Sequence, residues 1–416
     1  MKQLVILPRR VAFLLVAFWL VSAAWAQNRI AFVNPSGQLV SVAPDGLDPR
    51  VLTPPTRSYQ FPAWSPVENQ LAAVGIDREG GGVFTVQDRV GAEAKRLYRD
   101  PVAVPIYLYW APDGKEVGFL ANTGGSLGLR VVGTDGSGAR QLLTGNPLYW
   151  QWSGDGARLL VHSGISSAGR VAFYSAAGGA GEPFGEPGFF NAPGLSASGT
   201  YLAYAELTSS GSRVVLEGNR PRNAQLRREV PYAGRAAFSW SPTAEQLAIM
   251  SPQVAARLPY GPIRLLDAAT GELTPLVDAT ALAFFWSPDG KHIAYLTLFR
   301  RRGGQLADAS GVHATTVSSP TTGVQPEGTL LLELNVVEVA TGRSRLLTAF
   351  SPTPLFVGQF LPFFDQYALS HAIWSPESDA VVLPMLGEGG SQIVVVPLGG
   401  EPETIAQGEM PFWSRR

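Results

Sequence analysis

The sequence predicts an all-β fold, a single β-propeller built from four-stranded blades. The first observation is a Trp-Ser-Pro signature, often continued by Asp-Gly, that recurs along the chain. Its copies begin at Trp64, Trp110, Trp152, Trp240, Trp286 and Trp374, with a degraded copy at Leu195 and a truncated copy at Trp413. Successive steps are 46, 42, 43, 45, 46, 88 and 39 residues, and a period of about 44 residues is typical of propeller repeats.

The second observation is that each period holds four short apolar runs. One run follows the signature, as in Leu71–Val74 or Ile293–Leu296, and the aromatic run before the next Trp is the fourth. Short runs rich in Val, Leu and aromatic residues, separated by Gly, Pro and Asp, are typical of β-strands. Four strands per period are expected for a propeller blade.

The signature itself has a mechanical explanation. Pro fixes φ for the first central position of a turn, and Gly accepts the positive φ that other residues resist. The preceding Trp can bury roughly 150–250 Å², which suits a wedge between adjacent blades. The signature residues therefore predict the structural framework of the propeller and indicate little about its function.

The number of predicted blades is eight, with seven as the alternative. The chain opens with an apolar run at Ile30–Val33 that lacks its own upstream Trp, and the terminal Trp413 lacks a downstream strand. If these two segments pair, they complete one blade and close the ring, which removes exposed sheet edges. Seven blades would follow if the Leu195 copy or the long interval from 286 to 374 were misread.

Residues 1–26 are predicted to be a secretory signal peptide, and residues 27–416 a single propeller domain. Lys2, Arg9 and Arg10 precede the apolar stretch Val11–Ala23, and Ala24-Trp25-Ala26 forms a cleavage site of the small-x-small type. The alternative is an uncleaved N-terminal anchor, although the apolar stretch is short for a membrane span of about 20 residues. We therefore expect an exported protein, periplasmic or extracellular, with membrane contact only through an uncleaved leader.

Composition excludes several classes of function. The net charge is −1 for the whole chain, and removing the leader takes away three basic residues and no acidic one. A mildly acidic chain is a poor nucleic-acid binder. There are no cysteines, so disulfides, thiolate metal sites and a Cys nucleophile are excluded.

Several segments resemble the WD40-like repeats of TolB-type propellers. They are Trp286–Tyr295, Trp110–Phe119, and Thr134–Gly138 with Leu142–Thr144. The resemblance extends over residues 28–416 and implies the propeller fold. TolB itself resembles a six-bladed propeller behind a separate α/β domain, whereas the repeats here begin directly after the leader and number about eight. The resemblance therefore does not imply a role in the Tol system.

Motifs with catalytic or metal-binding chemistry have weak support. Gly124–Gly128 matches the G-x-S-x-G pattern, but it is predicted to lie in a hairpin and not between a strand and a helix, as a nucleophile elbow requires. The repeated Asp residues stand singly in turns, whereas calcium needs six to eight oxygen ligands. None of the four His residues is paired at metal-ligand spacing; they are His162, His292, His313 and His371. No cofactor and no metal are expected.

Two insertions interrupt the repeats, at about 300–328 and 350–372. The first begins with three Arg residues and is polar, so we expect a loop. The second is too apolar for an ordinary loop. It either packs as additional core, or caps the central channel, or presents an aromatic patch to a partner. Its candidate interaction or channel residues are Phe356, Phe360, Phe363, Phe364, Asp365, Gln366, Tyr367 and His371.

The preferred functional hypothesis is an exported, non-catalytic propeller that binds an envelope or secreted protein, or a small ligand. The alternative is an exported enzyme of the glycosidase or lyase type. That alternative requires two carboxylates to converge, and the residues near the second insertion are Glu333, Asp365, Glu377 and Asp379. A third hypothesis is a structural component of the envelope that uses the ring face as a platform.

Overall fold

The computed structural model describes residues 28–165, 169–185, 187–189, 191–219, 225–299 and 330–415. The predicted leader and the whole of the first insertion lie outside these residues. The described chain forms eight antiparallel sheets, arranged as the blades of a propeller. The fold class and the count of eight blades are therefore confirmed, and the alternative of seven is set aside.

Each blade is one sheet, numbered here in chain order from blade 1. Blade 1 contains β1 (Ile30–Val33), β2 (Leu39–Val42), β3 (Arg50–Val51) and β31 (Glu409–Trp413). Blade 2 contains β4 (Ser58–Trp64), β5 (Gln70–Asp77), β6 (Gly80–Gln87) and β7 (Lys95–Asp100). Blade 3 contains β8 (Pro105–Trp110), β9 (Glu116–Asn122), β10 (Leu127–Gly133) and β11 (Arg140–Gly145). Blade 4 contains β12 (Leu148–Trp152), β13 (Arg158–Ser163), β14 (Arg170–Ser175) and β15 (Glu182–Gly185).

The second half of the ring repeats this arrangement. Blade 5 contains β16 (Gly194–Leu195), β17 (Tyr201–Thr208), β18 (Gly211–Gly218) and β19 (Arg227–Tyr232). Blade 6 contains β20 (Ala237–Trp240), β21 (Gln246–Met250), β22 (Gly261–Asp267) and β23 (Leu273–Ala281). Blade 7 contains β24 (Ala283–Trp286), β25 (His292–Leu298), β26 (Leu332–Glu338) and β27 (Ser344–Phe350). Blade 8 contains β28 (Ala380–Gly387), β29 (Gly390–Pro397) and β30 (Glu403–Gln407).

The ring closes in blade 1, where the first and last strands of the described chain pair. In this antiparallel pair Ile30 lies opposite Trp413 and Ala31 opposite Phe412. The predicted closure is confirmed. The inner edge of blade 8 differs from the others because Trp374 makes only a single bridge to Val381. The second insertion directly precedes this edge and shortens the strand.

The ring has two faces, which we name by the connections they carry. Because neighbouring strands run antiparallel, the turns after the inner strands all lie on one face, here called the turn face. This face includes the signature turns, in which Gly114, Gly156 and Gly290 each have φ near 70° and so require glycine. The opposite face carries the hairpins between second and third strands and the links from each outer strand to the next blade. We call it the plug face, for the reason given below.

The signature Trp residues join neighbouring blades by hydrogen bonds. In five of them, Nε1 donates to the carbonyl oxygen of the residue just before the preceding blade's signature Trp. The pairs are Trp64 to Phe412 (3.1 Å), Trp110 to Ala63 (2.9 Å), Trp152 to Tyr109 (3.3 Å), Trp286 to Ser239 (3.2 Å) and Trp374 to Phe285 (3.0 Å). Each of these Trp side chains therefore does more than fill the space between two blades. It also joins them through a hydrogen bond to a backbone carbonyl, here called the tether.

Replacing Trp110 with Phe is expected to lower the free energy of unfolding by about 1–3 kcal/mol, since the Ala63 carbonyl loses its donor. Trp240→Phe is the matched control, because the buried Trp240 Nε1 has no hydrogen-bond partner among the described residues. Both substitutions remove the same atoms. Urea unfolding should show a larger loss for Trp110→Phe, and equal losses would mean that the tether does not contribute to stability.

A buried ion cluster lies where the ring closes. Arg29, just before β1, is 2% exposed, and its Nε lies 3.2 Å from the Asp88 carboxylate, which follows β6 in blade 2. Arg50 approaches the same carboxylate at 3.0 Å, and the Ser41 hydroxyl donates to it. The cluster therefore connects blade 1 to blade 2 beside the β1–β31 pair.

Among the described residues, no helix is long and apolar enough to cross a membrane.

Candidate functional site

The second insertion fills the central channel and is here called the plug (residues 351–372). It contains a turn of π-helix at Phe356–Phe360, a 3₁₀ turn at Leu361–Phe363 and helix α1 at Phe364–Ser370. Residues 356, 360, 364, 367 and 371 are buried along it. Their spacing of three and four residues is that of a helical stripe. The plug therefore buries a continuous stripe against the ring, and Leu361, Gln366 and Ser370 are buried outside that stripe.

Aromatic contacts dominate that buried face. The Phe360 ring lies 5.0 Å from Tyr367, 5.2 Å from Phe356 and 5.9 Å from Phe285 of blade 7. Tyr367 in turn contacts two other blades, with its ring 5.9 Å from Phe61 and 5.3 Å from Tyr107. Such pairs contribute beyond their buried area, so the plug holds blades 2, 3 and 7 together.

Gln366 pairs with the inner strand of blade 4 as a neighbouring strand would. Its side-chain oxygen accepts from the Trp150 N–H at 2.9 Å, and its Nε2 donates to the Trp150 carbonyl at 2.9 Å. Nε2 also donates to the Tyr107 hydroxyl at 3.1 Å. The amide thus satisfies an inner-strand edge that would otherwise lie buried without partners.

Asp365 and His371, two of the titratable plug residues, have strongly altered acidities. Burial raises the pKa of Asp365 to about 6, although the Ala192 N–H donates to its carboxylate at 3.3 Å and opposes the shift. Burial lowers the pKa of His371 to about 3, so this imidazole is neutral at physiological pH. Its Nδ1 lies 2.6 Å from the Ser370 hydroxyl, and its ring lies 4.5 Å from that of Phe412. His371 therefore lies within the packed channel.

The C-terminal end of α1 is contacted by Arg415, which lies on the turn face. Arg415 Nη2 donates to the Leu369 carbonyl at 2.7 Å, which places a cation at the C-terminal end of the helix, where it is favourable. The plug also contacts the remaining blades. It lies against β20 of blade 6 and Phe412 of blade 1, Pro352 forms a β-bridge with Met385 of blade 8, and Asp365 accepts from Ala192, just before blade 5.

The structure brings the eight candidate residues together in one element, but it leaves few of them accessible. Phe356, Phe360, Phe364, Gln366, Tyr367 and His371 are buried. Phe363 is 41% exposed, and Asp365 is partly exposed. Of the three possibilities raised by the sequence, packing as additional core describes most of this segment. A direct role of Phe363 or Asp365 in interaction stays a prediction.

Exposed apolar side chains concentrate on the plug face. Of sixteen large apolar residues that are exposed in the described part of the chain, eleven lie in plug-face loops or at strand ends beside them. They are Val102, Ile106, Ile165, Phe189, Leu207, Val254, Leu258, Leu298, Leu330, Phe363 and Leu386. Three lie on the turn face, at Leu47, Val67 and Val90. Large exposed apolar areas mark interaction sites, and the sequence reasoning missed this asymmetry because the residues are scattered through eight repeats.

The remaining sequence candidates lie apart from one another. Gly124–Gly128 lies at the hairpin between β9 and β10. His162 is buried, His292 stacks at 6.5 Å on Trp374, and His313 lies outside the described residues. Glu377 and Asp379 lie in a turn-face loop, at the opposite mouth from the plug-face loops, and Glu333 accepts a hydrogen bond from Thr297 within blade 7. No group of three or more His, Asp or Glu residues that could hold a metal was found within the described ranges.

Comparison with protein-family models and with curated proteins gives no match. Among solved structures, a eukaryotic initiation factor aligns over 93% of this chain and 98% of its own, with a TM-score of 0.52 and 12% identity. TolB from Acinetobacter baumannii aligns over 61% of this chain and 64% of its own, with a TM-score of 0.38 and 18% identity. An oligogalacturonate lyase in complex with manganese aligns over 91% of this chain and 83% of its own, with a TM-score of 0.46 and 12% identity. At such identities a likeness shows fold alone. The eight sheets of the described chain make it a β-propeller, which is consistent with the resemblance of its repeats to those of TolB-type propellers.

Proposed function

We propose that this protein is an exported, non-catalytic propeller that binds another protein through its plug face. The observation that carries the proposal is the combination of a filled channel and an apolar surface on the same face. The plug occupies the space in which a channel-bound ligand would sit. The surrounding loops expose apolar side chains such as Val254, which is 76% exposed.

The turn face exposes far fewer large apolar side chains, which makes it the less suitable surface for apolar contact. It carries three of them, whereas the plug face carries eleven. Protein interfaces are depleted in charge at their centres and enriched in aromatic and apolar groups. We therefore assign the partner an apolar contact surface and place it on the plug face.

The test compares two triple variants of the full chain in affinity capture from envelope extract. One carries Val254→Ser, Leu258→Ser and Phe363→Ser on the plug face. The other, as the matched control, carries Leu47→Ser, Val67→Ser and Val90→Ser on the turn face. All six residues are exposed, so both variants should fold. Replacing the plug itself would not serve, because it would also empty the channel.

We expect one protein to be captured by the unmodified chain and by the turn-face variant, and to be lost with the plug-face variant. The captured protein, once purified, should reproduce this order of affinities. Loss with the turn-face variant instead, equal capture by both variants, or no capture by the unmodified chain would contradict the proposal. The glycosidase or lyase alternative stays a prediction, and no particular observation on the described residues favours it.

A further inference from the structure

Three plug-face segments of blades 5 and 6 lie together around the end of the plug that carries Phe363. They are the stretch leading into blade 5 (187–189 with 191–192), the link from blade 5 to blade 6 (233–236) and the hairpin loop of blade 6 (251–260). The Ala192 N–H donates to the Asp365 carboxylate of the plug at 3.3 Å. The hairpin loop packs closely on the link, because a Cβ at Gly234 would lie 2.4 Å from the Ala256 carbonyl oxygen.

Arg235, in the link, lies over an aromatic ring that is itself exposed. Its guanidinium carbon is 5.8 Å from the centroid of the Phe189 ring, and both residues are exposed. The exposed Phe363 ring contacts Tyr149 nearby, at 6.3 Å between centroids. Burial and the charge of Asp365 raise the pKa of the Tyr149 hydroxyl, whereas the positive charge of Arg235 opposes that shift. The guanidinium group therefore lies near both exposed aromatic rings.

The three segments carry positive charge only. Arg235 in the link and Arg257 in the hairpin loop are both exposed, and the sequence of the three segments contains no Asp or Glu. The nearby Asp365 of the plug is partly buried. Val254 and Leu258 of the hairpin loop are exposed apolar side chains. Cations next to apolar groups are complementary to an acidic segment that also carries apolar side chains.

The position of Arg235 suits recognition of a carboxylate. Stacking on Phe189 uses the flat face of the guanidinium and leaves its N–H groups directed outward in its plane. A carboxylate accepts two parallel hydrogen bonds from such an edge. Contact with the ring also restricts the arginine side chain before binding, so that less conformational entropy is lost when a partner is bound.

We propose that the partner bound at the plug face presents an acidic side chain flanked by apolar ones, and that Arg235 binds its carboxylate. The apolar side chains contact the neighbouring exposed residues. Together with Arg235 these form the arginine patch, which comprises Phe189, Arg235, Val254, Leu258 and Phe363. This deepens the proposed function, on which it rests, by specifying the charge of the bound segment. Arginine and aromatic residues are enriched at protein interfaces, which supports the assignment.

The test measures how fast phenylglyoxal modifies individual arginines of the full chain, read by peptide mass spectrometry. Two peptides with blocked ends serve as probes in place of the unidentified partner. One has the sequence Leu-Glu-Phe-Glu-Leu, and the other replaces both Glu residues with Gln. At millimolar concentration the Glu peptide should slow modification of Arg235 about threefold or more. The Gln peptide should have little effect, because it lacks the carboxylates.

Arg158 provides an internal control in the same sample. Its guanidinium carbon lies 4.6 Å from the centroid of the Phe173 ring, so it is also a stacked arginine, and it is exposed. It begins β13 and therefore lies on the turn face. Neither peptide should change its rate of modification.

Two variants test the apolar part of the patch. Phe363→Ser should remove most of the protection of Arg235 by the Glu peptide, whereas Leu47→Ser, at an exposed residue of the turn face, should retain it. Circular dichroism reports whether each variant is folded, and the difference between the two peptides on the unmodified chain is informative even if a variant is not.

Four results would overturn the assignment. They are no protection of Arg235, equal protection by the Glu and Gln peptides, equal protection of Arg235 and Arg158, and full protection in Phe363→Ser. Because these measurements need no partner, they can fail while the capture experiment succeeds, and the reverse also holds. The two proposals can therefore be judged separately.

Discussion

Replacing Asp88 with Ala is expected to lower the free energy of unfolding by about 3–5 kcal/mol, which is the cost of removing one member of a buried ion pair. The substitution leaves Arg29 buried without the carboxylate that lies 3.2 Å from its Nε. The remaining carboxylate partner of Arg29, Asp48, has a side chain that is 58% exposed and lies at the outer side of the cluster. Guanidinium unfolding of the purified variant provides the measurement.

Two controls separate a buried charge from a general loss at the blade junction. Glu79→Ala removes an ion pair with Arg99 in which the Glu79 side chain is 81% exposed, so we expect the small effect of surface pairs. The double variant Arg29→Met with Asp88→Leu removes both charges and should recover a large part of the loss. If the double variant is as unstable as Asp88→Ala, the cost does not come from an unpaired arginine.

The second large effect is expected for Phe364→Ala, a loss of about 3–5 kcal/mol through the cavity left in the channel. Phe364 is buried, and its ring lies 5.5 Å from Phe284 and 5.8 Å from Phe285. Neither the plug nor the rigid ring can move inward to refill that space at low cost, because the plug contacts all eight blades. The shift in urea midpoint measures the loss.

The neighbouring residue supplies the control for this prediction. Phe363→Ala removes the same atoms from a side chain that is 41% exposed, whose ring contacts Tyr149 at 6.3 Å. We expect about 1 kcal/mol or less, as for surface substitutions. Similar losses for the two variants would mean that the plug is not packed tightly around Phe364.

The repeat architecture could be predicted in detail because its signals are local. The turn residues of Trp-Ser-Pro-Asp-Gly and the spacing of the copies predict blades, and the unmatched Ile30–Val33 and Trp413 predict the closing pair. The composition of the plug marks it as unusual, but the sequence analysis does not predict its helical structure. The spacing of Phe356, Phe360, Phe364 and Tyr367 does carry that signal, although Pro362 and the surrounding β-repeats obscured it.

A partly open apolar pocket beside the plug, where blades 1, 2 and 8 meet it, could not be predicted. Its walls come from residues far apart in the sequence, such as Phe61, Phe356 and Met410. One local clue was available. Phe61-Pro62-Ala63-Trp64 and Met410-Pro411-Phe412-Trp413 share a Pro within the inner strand, and a Pro in a strand often marks a bulge. That both bulges border one cavity follows only from ring closure, which makes blades 1 and 2 neighbours.

The closing pair between β1 and β31 also means that the ring can close only when the C-terminal strand is present. A premature stop or a proteolytic cut before Glu409 would leave β1 with an unpaired edge, and unpaired edges promote aggregation. The same truncation would remove the Phe412 carbonyl that accepts from Trp64 and one wall of the pocket. Incomplete chains would therefore combine an unpaired edge at β1 with a lost hydrogen bond to blade 2, so that only the complete chain forms a closed ring without a free strand edge at this junction.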